Sequence, residues 1–169
     1  MTGTHVSARM RTTTAMTSHR GLTTQATVLC GLLLVQFFAG MVTNLFVNIP
    51  DNHPGMGGNF FKSAPRAIAW AISSGAPWLA THAALGLALA VASLAFIVNA
   101  VRSRDRVWIW LSVAGSLLLI GAGFNGASFL VFNHDFSSLI MSGLFALCFA
   151  CYLAGIYVAG RRGATGQRR

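Results

Sequence analysis

Histidines are the residues of this chain best suited to bind a metal ion or haem. The chain has five histidines, and three of them, His53, His82 and His134, lie within or between long apolar segments. Neutral imidazole is a common ligand of transition metals and of haem iron. No two histidines have a ligand spacing such as H-x-x-x-H. The three are therefore metal-ligand candidates only where the fold brings them together.

Neutral polar side chains within apolar segments form a second set of candidates. Gln36, Gly40, Asn44 and Asn48 are spaced by four residues, which places them on one slowly drifting stripe of a helix. The loops that join the apolar segments add further polar groups. The candidate ligand-binding residues are Asn44, Asn48, His82, Asn125, His134 and Asp135.

The segment Gly121-Ala-Gly-Phe-Asn-Gly126 matches the G-x-G-x-x-G pattern of dinucleotide-binding proteins. That function requires a strand before the glycines and a helix after them. Here the match lies inside an apolar segment long enough to form a membrane helix. Small residues at four-residue spacing, Ala122 with Gly126 and Gly123 with Ala127, are better explained by close packing of helices.

Cys148 and Cys151 form a C-x-x-C pattern. In redox-active versions of this pattern, a helix N-terminus lowers the pKa of one thiol. These two cysteines lie instead near the middle of a predicted membrane helix, where we interpret them as small apolar packing residues. Cys30 lies near the N-terminal end of its own predicted span, far from the middle of the membrane. We therefore expect no disulfide.

The composition argues against a typical water-soluble enzyme. Hydrophobic residues make up 54% of the 169 residues and charged residues only 9%, against about 25% charged residues in an ordinary soluble domain. The only acids are Asp51, Asp105 and Asp135. A soluble protein needs more surface charge, and a disordered chain has low hydrophobicity. The composition therefore predicts an integral membrane protein.

Long segments without charged residues predict the fold. A membrane helix needs about 20 apolar residues to cross a hydrocarbon core of about 30 Å, and each charge-free segment is long enough. We predict an all-α bundle of four transmembrane helices with spans near 27–48, 77–101, 107–132 and 139–160. These spans form one membrane domain over 27–160, between a disordered basic tail at 1–26 and a second basic tail at 161–169.

The basic residues predict the orientation in the membrane. Of the 12 lysines and arginines, ten lie in the two tails and in the 102–106 loop, whereas only Lys62 and Arg66 lie on the other side. Basic residues accumulate in cytoplasmic loops. Both termini of this multi-pass plasma-membrane protein are therefore predicted to be cytoplasmic. Because the basic residues flank the helices, where they meet anionic lipid, nucleic-acid binding is not expected.

The first loop on the extracytoplasmic side is predicted to contain a short interfacial helix. Ser63 can cap this helix, Pro65 lies in its first turn and Gly75 ends it. Pro77 then begins the second span. The apolar face of the short helix is predicted to consist of Phe61, Ile68, Ala69 and Ile72, lying on the outer leaflet.

Depth along the spans predicts a polar pocket. Polar side chains in membrane helices usually face the other helices, because lipid offers no hydrogen bonds. His82, Asn125 and Asn44 lie in the extracytoplasmic halves of their spans. We expect them to converge there beneath the two extracytoplasmic loops, from which His53 and His134 could reach in. Capping of the last helix is the alternative role of Asp135.

Several short segments resemble those of a group of small uncharacterised four-helix integral membrane proteins of actinobacteria. These segments are Gly123-Phe-Asn-Gly-Ala-Ser-Phe-Leu130, His134-Asp-Phe-Ser-Ser138, His82-Ala-Ala-Leu-Gly86 and Asn44-Leu-Phe-Val-Asn-Ile-Pro50. The resemblance covers roughly 40–160 and omits both tails. It implies a four-helix membrane fold and no particular activity.

Three functional hypotheses remain open from the sequence. The first is a non-enzymatic accessory or ligand-binding bundle, which the lack of a carboxylate inside the spans favours. The second is a redox protein that uses the histidines to bind haem, a metal ion or a quinone. The third is a small oligomeric transporter. The expected partners are the lipid bilayer and either other membrane subunits or further copies of the chain.

Overall fold

The computed structural model describes residues 3–166, with side chains described for 20–134 and 136–163. This part of the chain is all-helical. Its five helices are α1 (Gly3–Phe46), α2 (Phe60–Ser74), α3 (Pro77–Ser103), α4 (Arg106–Phe132) and α5 (Asp135–Gly166). Four segments are long and apolar enough to cross a membrane, which confirms the four predicted helices: Arg20–Phe46, Pro77–Ser103, Arg106–Phe132 and Phe136–Gly163.

The four long helices form a closed bundle. Helix α1 packs against α3 and α5, and α4 packs against the same two helices. The connections at 104–105 and 133–134 are short, which makes α3, α4 and α5 antiparallel neighbours. Helix α2 packs on α3 and α4. We call the end of the bundle that carries α2 and the 47–59 loop the cap end.

Local sequence explains where the long helices begin and end. Pro77 is the first residue of α3, where its missing N–H costs no hydrogen bond. The Asp105 carboxylate accepts hydrogen bonds from the first backbone N–H groups of α4, at 2.9 Å from Val107 N and 3.4 Å from Trp108 N. Arg162 near the end of α5 binds the same carboxylate at 2.9 Å. Asp105 therefore links three helices at the end opposite the cap.

Helices α1 and α5 extend beyond the predicted spans. Helix α1 begins at Gly3, so it includes most of the segment 1–26 that was predicted to be a disordered tail. Helix α5 continues to Gly166 and takes up most of the predicted tail 161–169. A helix that has already formed adds residues at little cost when no proline interrupts it, and neither extension contains proline. Arg168 and Arg169 lie outside the described residues.

The short helix α2 begins earlier than predicted and packs on the bundle through a face of small residues. Its N-cap is Asn59, whose side chain accepts a hydrogen bond from Phe61 N at 3.1 Å. The predicted cap, Ser63, instead donates to the carbonyl of Gly57 at 2.6 Å. The buried residues of the face that packs on the bundle are small, Ala64, Ala67 and Ala71, and Phe60, Ile68 and Trp70 are partly buried beside them. Alanine permits a close approach of α2 to α3 and α4.

Helices α4 and α5 interlock through aromatic rings set against glycines. The ring of Tyr152 on α5 covers Gly115 on α4, where an added Cβ would lie 2.5 Å from Cε1 of the ring. The ring of Trp108 on α4 covers Gly155 on α5, with an added Cβ 2.5 Å from Cζ3. Both rings are completely or almost completely buried, and Phe96 meets each of them edge to face. This reciprocal contact fixes the register of the two helices.

The glycine-rich segment of α4 contributes less to close packing than its pattern predicts. Ala122 and Ala127 are buried, and an added Cβ on Gly126 would lie 3.3 Å from Sδ of Met141 on α5. Gly123, however, is exposed and has no atom within 4 Å of that position. The G-x-G-x-x-G match lies within an uninterrupted helix, without the strand that a dinucleotide site requires.

An apolar layer crosses the middle of the bundle. It consists of Leu33, Leu89, Leu119 and Cys148, one residue from each long helix, all buried in one core cluster. At 1.5 Å per residue, each lies about 18–20 Å from the cap end of its helix. The layer separates the polar groups near the cap from those in the other half of the bundle.

Cys148 and Cys151 should resist water-soluble maleimides in intact membranes. Cys148 is completely buried in this layer, Cys151 is partly buried, and all three cysteines are free. A thiol must be ionised and reachable to react, and burial at mid-membrane prevents both. Mass spectrometry after labelling should find the two cysteines unmodified unless detergent unfolds the bundle. Rapid modification of Cys148 in the folded protein would reveal a water-filled cavity.

Candidate functional site

The best-defined polar site joins α1 to α3 near the cap end. Gln36 projects from α1 and is 8% exposed. Its amide nitrogen donates to the backbone carbonyl of His82 on α3 at 3.0 Å and lies 3.5 Å from Nε2 of the His82 ring. The structure therefore places His82 against α1, at a depth of about 8 Å below the start of α3.

Two glycines shape this site. An added Cβ on Gly40 would lie 2.8 Å from Cε1 of His82, so the imidazole rests directly on the backbone of α1. An added Cβ on Gly86 would lie 3.1 Å from the amide nitrogen of Gln36. Each polar side chain thus packs on a glycine of the opposite helix. The spacing of four residues within Gln36/Gly40 and His82/Gly86 produces this reciprocal arrangement, because such pairs share one helix face.

The hydrogen bonds of the pair determine the groups it can offer to a ligand. An amide nitrogen only donates, so a hydrogen bond across the 3.5 Å to Nε2 of His82 requires the tautomer whose ring proton lies on Nδ1. Turning the amide over would set its oxygen against the His82 carbonyl, and two acceptors repel. Oε1 of Gln36 and Nδ1 of His82 are both buried and have no hydrogen-bond partner among the described residues. In that tautomer the site presents one free acceptor, Oε1 of Gln36, and one free donor, Nδ1 of His82.

Asn44 and Asn48 lie outside this site. Both are exposed. Asn44 lies on α1, where the adjacent Thr43 is buried, and Asn48 lies in the loop after the end of α1 at Phe46. Four residues rotate an α-helix by about 400°, so the stripe that begins at Gln36 drifts by about 40° at each step. By Asn44 the stripe has turned off the buried face of α1. The expectation that Asn44 faces the interior is therefore wrong, and Gln36 occupies the position beside His82.

Asn125 is partly buried, and its amide hydrogen bond remains within its own helix. Its nitrogen donates to the carbonyl of Gly121 one turn earlier at 2.9 Å. Gly121 faces α5, since an added Cβ there would lie 3.2 Å from Leu144. His82, by contrast, packs on α1. The described hydrogen bond of Asn125 thus stays within α4, whereas those of His82 involve α1.

The other two candidate histidines lie at the cap end, His53 buried and His134 exposed. His53 is 6% exposed and its ring stacks on Trp70 of α2, with centroids 4.3 Å apart. Its Nδ1 lies 3.1 Å from the carbonyl of Pro54, and its Nε2 is buried without a partner among the described residues. His134 is exposed and stacks on Phe132.

These positions do not bring the predicted metal ligands together. Within the described residues there is no group of three or more His, Cys, Asp or Glu side chains that could hold a metal ion. His53, His82 and His134 each contact a different residue type in a different part of the cap end. Asp135 begins α5, but its side chain lies outside the described side chains, so its predicted roles remain predictions.

The 47–59 loop packs on the first half of α2 and on the end of α4. Gly57 N donates to the carbonyl of Val131 at 2.7 Å. The side chain of Asn133, the left-handed C-cap of α4, donates to Asp51 at 3.5 Å. Gly55 has a φ of +92° and lies so close to α2 that an added Cβ would lie 2.5 Å from Ala67 N. The cap is thus an ordered part of the fold.

A buried hydroxyl cluster on the other side of the apolar layer was missed from the sequence. Ser116 on α4 donates to the carbonyl of Ser93 on α3 at 3.2 Å. The Tyr152 hydroxyl is buried without a hydrogen-bond partner among the described residues, and Ser116 and Cys148 are its polar neighbours. All these residues are almost completely buried. Serines spaced by four residues, such as Ser112 and Ser116, were the available signal.

Comparison with known proteins adds no family. No protein-family model, curated protein or solved structure matches this chain. The function must therefore be inferred from the geometry alone. That geometry offers the neutral hydrogen-bonding groups of Gln36 and His82, whose described hydrogen bonds involve no carboxylate.

Proposed function

We propose that this chain is a non-enzymatic membrane protein that binds a small neutral ligand, or a polar group of a partner subunit, at Gln36 and His82. The observation that supports this most is the unpartnered acceptor and donor of this buried pair. A buried polar atom without a partner costs about 1–3 kcal/mol. A hydroxyl group accepts and donates at once and could satisfy either atom. A charged ligand is disfavoured, because neighbouring residues offer no opposite charge within the spans.

The proposal includes the placement in the plasma membrane. Four long apolar helices cross the bilayer, the cap end lies on the extracytoplasmic side and both termini are cytoplasmic, as the ten-to-two bias of basic residues favours. Helix α2 lies at the outer interface. Exposed Trp78 near the cap end and exposed Trp110 near the opposite end support this, because tryptophan concentrates at membrane interfaces.

Reporter fusions should give opposite signals at the two ends of the bundle. A reporter active only in the cytoplasm should be active when fused after residue 169 and inactive when inserted between residues 57 and 58. The physical reason is the cost of moving arginines of the 102–106 loop across the membrane. A C-terminal fusion that is active only outside the cytoplasm would contradict the orientation.

The ligand should be lost when the polar pair is made apolar. We expect Gln36→Leu/His82→Leu to fold, because replacing both partners of a hydrogen bond removes the unsatisfied groups together. The double variant should be destabilised by about 1 kcal/mol less than the sum of the two single destabilisations. Mass spectrometry of solvent extracts should detect a molecule that copurifies with the wild type and not with the double variant.

Asn44→Leu provides a matched control, because it removes an amide from the exposed continuation of the same stripe. It should leave the copurifying molecule in place. Identical extracts from the wild type and the folded double variant would contradict ligand binding at this pair. An absorption spectrum of the same samples tests the redox alternative, since a Soret band that disappears with His82→Leu would identify a haem ligand.

A further inference from the structure

Helix α2 has a second apolar surface that the bundle does not cover. Phe61 is 77% exposed and Ile72 is 37% exposed, and eleven residues on a helix amount to about three turns, so both project from the same side. Both belong to the apolar face that was predicted to lie on the outer leaflet, whereas Ile68 of that face is partly buried against the bundle. The alanine face makes the main contact with the bundle, which leaves Phe61 and Ile72 directed outward.

Two cations lie next to this apolar edge. Lys62 and Arg66 are exposed and four residues apart, so they are neighbours on the helix surface. They are also the only basic residues in the whole 47–76 segment. The surface of α2 away from the bundle therefore combines an apolar edge, Phe61 and Ile72, with an adjacent cationic edge, Lys62 and Arg66.

The depth of α2 determines what meets this surface. Its alanine face packs on Leu79, the third residue of α3, and on Ala127, Leu130 and Val131 at the end of α4. These contacts lie within about 8 Å of the cap ends of the two helices. That distance corresponds to the boundary between headgroups and acyl chains, where an amphipathic helix buries its apolar side by about 5–10 Å.

We propose that α2 binds a phospholipid of the outer leaflet, with Phe61 and Ile72 between the acyl chains and Lys62 and Arg66 on the headgroup phosphate. The inference rests on the membrane placement proposed above. Anionic lipid should bind better than zwitterionic lipid, because both side chains bring positive charge to the membrane surface. A long cationic side chain can also extend its charged end towards the headgroups while its methylenes remain in the apolar region.

Nitroxide labels can test where the apolar edge lies. Cysteine variants at Phe61 and Ile72 would be made in a Cys30→Ala/Cys148→Ala/Cys151→Ala background and reconstituted in phosphatidylcholine vesicles. Labels at both positions should collide more with dissolved oxygen than with a water-soluble nickel chelate. A label at Val91, which is exposed at mid-span, reports the bilayer interior, and a label at Asn52 in the cap loop reports water.

The control labels separate the two ways in which this test can fail. If Phe61 and Ile72 behave like Asn52 while Val91 collides with oxygen, lipid binding by α2 is wrong and the membrane placement survives. If neither reagent reaches Phe61 and Ile72, another protein or a second copy covers them, which also overturns the inference. If Val91 itself collides preferentially with the nickel chelate, the membrane placement fails.

Photocrosslinking of the wild-type chain tests the phosphate contact without any cysteine replacement. Phosphatidylglycerol with a photoactivatable headgroup, added to phosphatidylcholine vesicles, should form adducts on residues 59–74. Lys62→Gln/Arg66→Gln should reduce these adducts roughly tenfold or more, since each cation near the surface contributes about fivefold to binding. Arg104→Gln/Arg106→Gln makes the same charge change at the opposite end and should leave them unchanged. Equal adducts in all three proteins would overturn the inference.

Discussion

Replacing Gly155 with alanine should lower the thermal stability of the bundle by roughly 10 °C. The added Cβ would lie 2.5 Å from Cζ3 of Trp108 and 2.9 Å from Cη2. The ring cannot withdraw easily, because it is buried and packed edge to face on Phe96. Overpacking a core costs about 1–3 kcal/mol, and the rigid ring puts this position at the upper end. Detergent-solubilised protein monitored by tryptophan fluorescence would measure the shift.

Gly143→Ala is the matched control on the same helix. An added Cβ at Gly143 meets no atom within 4 Å, and alanine is a better helix former than glycine by about 1 kcal/mol. This variant should be as stable as the wild type or slightly more stable. Gly115→Ala should behave like Gly155→Ala, because Tyr152 occupies the same kind of position over it. Equal stability of all three variants would show that the rings do not fix the two helices.

Gly55→Ala should release the cap loop from α2 while the four long helices remain assembled. Alanine at a φ of +92° is strained, and its Cβ would lie 2.5 Å from Ala67 N and 2.6 Å from Ser63 O. Both are backbone atoms of α2, which cannot move aside as a flexible side chain would. A cost of about 2 kcal/mol or more should raise hydrogen exchange of the Gly57 amide roughly thirtyfold.

Gly57→Ala isolates the effect of backbone strain alone. Its φ is +71° and no atom lies within 4 Å of an added Cβ, so the substitution should cost only about 1 kcal/mol. Exchange across residues 50–59 should therefore rise much less than in Gly55→Ala. Fast exchange in both variants, or slow exchange in both, would mean that the contact between Gly55 and α2 does not hold the loop.

The four long helices could be predicted from the sequence because placing a charged side chain inside a membrane is costly. The positions of the arginines and aspartates alone therefore delimit the apolar segments. The two helix extensions were missed for a related reason. A polar composition shows that a segment favours water, but not whether it is helical. A polar segment such as 3–19 can continue a helix that the adjoining apolar segment has already formed.

The partner of His82 could not be predicted, because it depends on the rotation of α1 about its own axis. Gln36 and Asn44 lie on one stripe and have the same amide chemistry. Packing of Gly40 under the imidazole selects Gln36 and turns Asn44 outward. Such a rotation is determined by contacts with the neighbouring helix, so the sequence of α1 alone does not predict it. The choice of Asn59 over Ser63 as the cap of α2 similarly depends on where the preceding loop turns.

The apolar layer of Leu33, Leu89, Leu119 and Cys148 has an electrical consequence in a membrane. A transmembrane voltage falls mainly across the region of lowest polarisability, and moving one elementary charge through 100 mV changes its energy by about 2.3 kcal/mol. Gln36 and His82 lie on the cap side of this layer, so a charge that moved from the cap end to this pair would cross only part of the voltage. A single copy of the bundle should therefore behave as an insulator, and cells that overproduce it should keep their membrane potential.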